Sequence, residues 1–368
     1  MILGSGLIQA SGWTPTWLIR DEFTDTLAAG SVNGTAATPG PGTRSVTDTE
    51  SKLSVSSGAL AIAGGRAASA YGDPGIWYGA QTRAAGLTYL AKINHATLAF
   101  ACQYGFDANN SGRAELAVFW ARSATQTLLL DNVVTIDVGQ PIATATPYTY
   151  GVVLRSTGAF YLAKGGAMPH WTLLWVSQTG NTSTVYPAIT DYDVASNADY
   201  VRVLAVPEPF DSDTGLATDV HAGSVSAGTT FTHTADCLIE YTATTVPSGD
   251  SIDVQFRKQD ATNFWICRIN SSGDIALIET VAGSETSRGS AAGVVSSGHR
   301  VVIIADGTTI RGYSNNVLRW TYASATNFAT ATAGELDALG TGGAVSDLIT
   351  WPRTLSGTAA SILNKASA

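Results

Sequence analysis

The stretch SGHRVVIIADGTTIRGYSNNVLRWTY, Ser297 to Tyr322, decides the fold. It reads as a strand, a tight turn at Gly307, a second strand and an aromatic third strand; GGAVSDLITWPR, Gly342 to Arg353, adds a loop and a closing strand. A fainter copy lies at Tyr150 to Pro209. Setting VVLRSTGAFY against VVIIADGTTIRGY places Val152 on Val301 and Gly158 on Gly307, an offset of about 149 residues. Upstream, TLLLD against IALIE places Asp131 on Glu279; downstream, LAVP against LITWP places Pro207 on Pro352. Three separate segments at a near-constant offset are what a duplicated domain with small loop changes gives. The expected boundary is Pro207-Glu208-Pro209, where two prolines cannot continue a central strand.

Working outward, short strands recur every ten residues or so, punctuated by Gly, Asn and Asp. KLSVSSGALAIAGG (Lys52 to Gly65) is a hairpin with Ser57-Gly58 as its turn, and IWYGAQTRAAGLTYLAKI and ATLAFACQYGF continue in the same style. Ser356 to Ala368, SGTAASILNKASA, is the best helical candidate, with Ser or Thr as its N-cap. The expected division is an arm over 1–17, a first β-sandwich over 18–208 and a second over 209–368.

The balance of the 368 residues excludes several partners. Charged residues make up only 13% and the net charge is −9, with no clustered Lys/Arg footprint, so nucleic acid and a polybasic membrane contact are not expected. No apolar run reaches the ~20 residues of a spanning helix. Cys102, Cys237 and Cys267 are too few and too widely spaced for a zinc or disulfide framework; they read as buried thiols, with a Cys237–Cys267 bridge as the alternative. MILGSGLIQASGWTPTW lacks a basic start, and its apolar run is broken by Gly4, Ser5 and Gly6, so it reads as an assembly arm rather than a signal peptide.

NFWICRINSSGDIALIE, HRVVIIADGTTIRGYSNN and DLITWPRTLSGTAASILN resemble the concanavalin A-like (laminin G-like) jelly-roll superfamily, as do RDEF, KLSVSSGALAIAG and TRAAGLTYLAKI in the first half. The resemblance implies an all-β chain of two tandem concanavalin-like antiparallel sandwiches, with an N-terminal arm and a short C-terminal helix. Its Ser/Thr/Gly-rich style is similar to that of tailed-phage virion proteins of the tail, fibre or capsid decoration. On that ground the expected role is a non-enzymatic structural part of a virion, assembled in the host cytoplasm and exposed outside the cell. Its expected partners are virion proteins, copies of itself and host-surface glycans. A carbohydrate-binding adhesin is the alternative, and a glycan-cleaving enzyme stands third.

Glycoside hydrolases on this fold carry Glu-x-Asp-x-Glu on one strand, which holds acid and nucleophile on the same face, and no such run is present. Asp191 and Asp193, like Asp211 and Asp213, alternate on one face but read as turn carboxylates. Calcium at Asp211 and Asp213 is the sharper alternative and the one cofactor considered. Trp120, Trp265 and Trp320 sit inside apolar strands and read as core. Trp171 and Trp175, four apart in MPHWTLLWVSQ, are the candidates for an exposed sugar platform.

Overall fold

A computed structural model describes residues 14–64, 73–96, 102–110, 115–123, 126–132, 134–180, 183–191, 195–207, 210 and 215–368. They form two compact units. The first holds residues up to 211 together with Leu355–Ala368, and the second is Ser212–Thr354. Both are antiparallel β-sandwiches, and the one α-helix among the described residues is Gly357–Ser367.

In the first unit one sheet runs Met168–Ser177, Ala159–Gly165, Pro147–Leu154, Leu87–His95, Ser196–Ala205, Ala59–Ile62, Leu53–Ser56, and Trp17–Asp21 also pairs with Ser196–Ala205. The facing sheet runs Val134–Asp137, Gln126–Asp131, Glu115–Ser123, Cys102–Asp107, Thr184–Thr190, Gly75–Trp77, Ser45–Thr47. The expected hairpin forms: Leu53–Ser56 pairs with Ala59–Ile62. Its turn residues Ser57 and Gly58 both take positive φ, which matches the twist of the strands they join.

Between the sheets lie Tyr89, Tyr104, Phe106, Phe119, Tyr150 and Tyr161, all fully buried. A buried phenol needs a partner for its hydroxyl. The Tyr89 hydroxyl donates to Ala188 O at 2.9 Å and that of Tyr161 to Leu130 O at 3.2 Å, both on the opposite sheet.

In the second unit one sheet runs Asp219–Val225, Ala344–Pro352, Cys237–Thr245, His299–Asp306, Thr309–Ser314, Val317–Tyr322. The other runs Thr229–Thr232, Ala333–Ala338, Ser251–Asp260, Asn263–Asn270, Ile275–Val281, Ser284–Ala291. Alternate residues of each strand enter one core: Cys237, Ile239 and Tyr241 from the first sheet meet Val254, Phe256, Trp265 and Cys267 from the second. The three cysteines are free and buried, and burial pushes the Cys237 and Cys267 thiols up to about 12.

The two units share one strand order. Cys102–Asp107 takes the place of Ser251–Asp260, and Thr184–Thr190 that of Ala333–Ala338; their first residues, 102 and 251, and 184 and 333, are both 149 apart. The offset read from three short sequence matches therefore recurs in the central strands of both sheets, and widens to 160 between Ala59–Ile62 and Asp219–Val225.

In the first unit a buried ion cluster fixes the chain from Asp21 to Arg44. Arg44 grips both Asp21 oxygens at 2.6 Å and reaches Asp25 at 2.6 Å, while Tyr78 donates to Asp21 at 2.9 Å. Burial opposes the guanidinium charge, but its hydrogen bonds to Asp21 and Asp25 outweigh it and its pKa rises.

The terminal helix was expected within a second sandwich spanning 209–368. It packs with the first unit instead. Leu355 N donates to Trp171 O at 2.8 Å, and Arg202 and the Tyr200 hydroxyl donate to the terminal carbonyls of Ala366 and Ser367 at 2.8 and 3.1 Å. The last carbonyls of a helix lack internal donors and carry partial negative charge, so an arginine there satisfies both needs. Ala359, Ile362, Leu363 and Ala366 are the buried face. Ser356 is extended at the N-cap but makes no side-chain cap bond. Residues 1–13 of the expected arm lie outside the described residues, and Trp17 belongs to a paired strand.

His95 is buried with its Nδ1 3.1 Å from the Ser196 hydroxyl, and desolvation lowers its pKa from 6.5 to about 4. As pH falls below 6.5 the unfolded chain takes up the proton first. The stability linked to neutral His95 is full above that value and is lost progressively down to about pH 4, amounting to about 3 kcal/mol. The expected result of urea denaturation from pH 7 to 4 is a shallower loss of stability in His95→Gln than in the parent chain.

Candidate functional site

In the second unit, Ser251–Asp260 begins with strict alternation. Ile252, Val254 and Phe256 face the core, while Asp253 and Gln255 face out. The pattern breaks at Arg257, which takes φ 46°. Against the neighbouring strand, Gln255 faces Glu335 but Lys258 faces Ala333, so one extra residue is inserted. The buried Arg257 guanidinium anchors this bulge on Ala235 O (3.0 Å) and Gly307 O (2.9 Å). Arg257 N donates to His233 Nε2 at 3.0 Å, which leaves Nδ1 to carry the proton and donate to Thr234 O at 2.8 Å. Burial holds the His233 pKa down, consistent with a neutral ring.

The bulge delivers Lys258, Gln259 and Asp260 to an open groove. Two hollows, of about 510 and 570 Å³, meet at Lys258, Gln259 and Ala333. One is walled by Phe328 and Thr326, the other by Asp219, Thr230, Asp260 and Glu335. Lys258 pairs with Glu335 and lies 5.7 Å from the centroid of Phe264. Asp260 accepts from Thr262 N (2.7 Å) and Asn263 Nδ2 (2.8 Å), bonds that hold its carboxyl below the usual range. Gly334 has no side chain because the Phe231 ring lies against it: a Cβ there would fall 2.2 Å from the ring.

Phe328 lines the first hollow. It is half-buried at φ 56°, a conformation costly for a bulky side chain. Its loop is tied down next door, where Trp265 Nε1 donates to Asn327 O at 2.9 Å and Asn327 Nδ2 donates to Glu279 at 2.7 Å. One hollow combines an aromatic ring with an ammonium and a carboxamide, and the other adds carboxylates to the same lysine and glutamine. Such a groove offers stacking and dense hydrogen bonding to a polar ligand.

The residues singled out from sequence lie elsewhere. Trp171 is 1% exposed and Trp175 fully buried, so neither is a ligand platform. Nor do they share a face. Leu162 pairs with Leu173 but Tyr161 with Trp175, so a bulge inverts the alternation between them. Trp171 lies on the outer side against Gly151, and Trp175 on the inner side beside Tyr161. Asp193, Asp211 and Asp213 fall outside the described residues, and Asp191 is buried. No group of three His, Cys, Asp or Glu suited to a metal occurs among the described residues, and no described helix is long and apolar enough to cross a membrane.

Sequence reasoning missed the groove. The available signal was the run Arg257-Lys258-Gln259-Asp260, which interrupts the apolar alternation inside a strand.

No protein-family model and no curated protein matches the sequence. Solved structures do match. A beta-1,3-glucanase from Mycobacterium marinum is 14% identical over 52% of this chain and 100% of its own, with TM-score 0.33. A structure described with endo-acting O-glycanases of human gut microbiota is 11% identical over 52% and 100%, with TM-score 0.35. The carbohydrate binding module CBM66 from Bacillus subtilis is 10% identical over 37% and 96%, with TM-score 0.28. The expectation that the chain is not an enzyme is corrected by these matches, which include a glucanase, and the virion reading gains no support from them. At this identity and TM-score they assign no activity to the chain.

Trp171→Ala is expected to act on stability rather than on a ligand. The buried ring's removal costs about 3–5 kcal/mol in a denaturation curve.

Proposed function

We propose that this chain recognises a glycan through the groove of its second sandwich. The observation that carries the reading is Phe328, an aromatic side chain in a left-handed backbone, half-buried against the core cluster and lining a hollow together with Lys258 and Gln259. Sugars present an apolar ring face and a rim of hydroxyls. An aromatic ring meets the face, and carboxylates, carboxamides and ammonium groups meet the rim. The two hollows are open rather than enclosed and share Lys258, Gln259 and Ala333 in their walls, an extent that suits a chain of sugars more than a single one.

The test is a glycan array followed by titration calorimetry on the full chain. Phe328→Ala is expected to weaken binding about tenfold, the equivalent of ~1.4 kcal/mol of stacking, and Lys258→Ala to weaken it further. Binding untouched by both changes, or no binding to any glycan, contradicts the reading. New reducing ends in the same mixtures, lost in Asp260→Asn or Glu335→Gln, would make the groove catalytic as well.

A further inference from the structure

The ionisable side chains lining the two hollows are Asp219, Asp260, Glu335 and Lys258. Lys258 is committed to Glu335. Asp219 accepts from Val220 N at 3.0 Å and Thr232 N at 2.9 Å, and Asp260 from Thr262 N and Asn263 Nδ2. These donors are themselves neutral. Among the described residues neither Asp219 nor Asp260 pairs with a lysine or arginine; Asp219 has only His221, 3.5 Å away. The groove therefore carries two carboxylates that no fixed cation offsets.

Glu335 adds a third carboxylate to the lining, and the one lysine there pairs with it.

We propose that the groove selects uncharged glycans, whose hydroxyls donate to these oxygens, over uronic or sulfated chains, whose anions approach two uncompensated carboxylates. The proposal rests on the glycan reading above and adds its charge selectivity. Repulsion between exposed like charges is a long-range effect that salt screens, with a Debye length of about 30 Å at 0.01 M and 3 Å at 1 M.

The test titrates the full chain with glucan, galactan and mannan hexasaccharides and their uronic counterparts of equal length. It is run at pH 8, where an ordinary imidazole is neutral. At 0.01 M salt the uronic form of whichever sugar binds is expected to be about tenfold weaker or more, with the gap closing at 1 M. In Asp219→Asn/Asp260→Asn the gap closes at low salt too. A uronic chain that binds as tightly as its neutral counterpart at low salt overturns the selectivity while leaving glycan recognition standing. A gap that persists in the double variant overturns the assignment to these two residues. Binding by neither series overturns the glycan reading and the selectivity together.

Discussion

Each sheet of this protein has one face turned into a core, and that burial claims every second residue along its strands. The rest of the structure follows from this constraint. In the second unit Ile252, Val254 and Phe256 enter the core while Asp253 and Gln255 face away, so polar chemistry is confined to outer faces and strand ends. A bulge is the device that redirects side chains without breaking the core. At Arg257 a bulge turns Lys258 toward Glu335 and ends the strand in a polar run. The site exists because the alternation is broken there, and the break is held by the guanidinium of Arg257 and the ring of His233.

Both units have the same strand order and different strand ends. In the first unit, Cys102–Asp107 stops after six residues. Its counterpart Ser251–Asp260 runs on through the bulge to the groove. Asp107 in turn is buried and receives Trp77 Nε1 at 2.9 Å, so that carboxylate serves the first unit's interior. One topology thus supports two different strand ends, and the difference lies in a few residues past the shared part of the strand pattern.

The architecture was legible in the sequence because it rests on local regularities: alternation, turn residues and an offset that repeats. The sites were less so, because they depend on departures from regularity. Trp171 and Trp175 are four apart, which in an unbroken strand puts both on one face. The bulge between them is set by pairing with Ala159–Gly165, which spacing along one strand does not encode. The helix after Ser356 was readable as a helix, but its docking depends on Arg202 and Tyr200, more than 150 residues earlier. Phe328 carries no signal at all in the string, since its importance lies in a left-handed backbone that aromatic residues seldom adopt.

The most direct measurement is hydrogen–deuterium exchange of the full chain with and without a glycan that an array shows to bind. The account predicts slowed exchange confined to residues 219, 230–232, 258–261 and 326–335, which line the groove. Protection that falls elsewhere, with those segments unchanged, would contradict it.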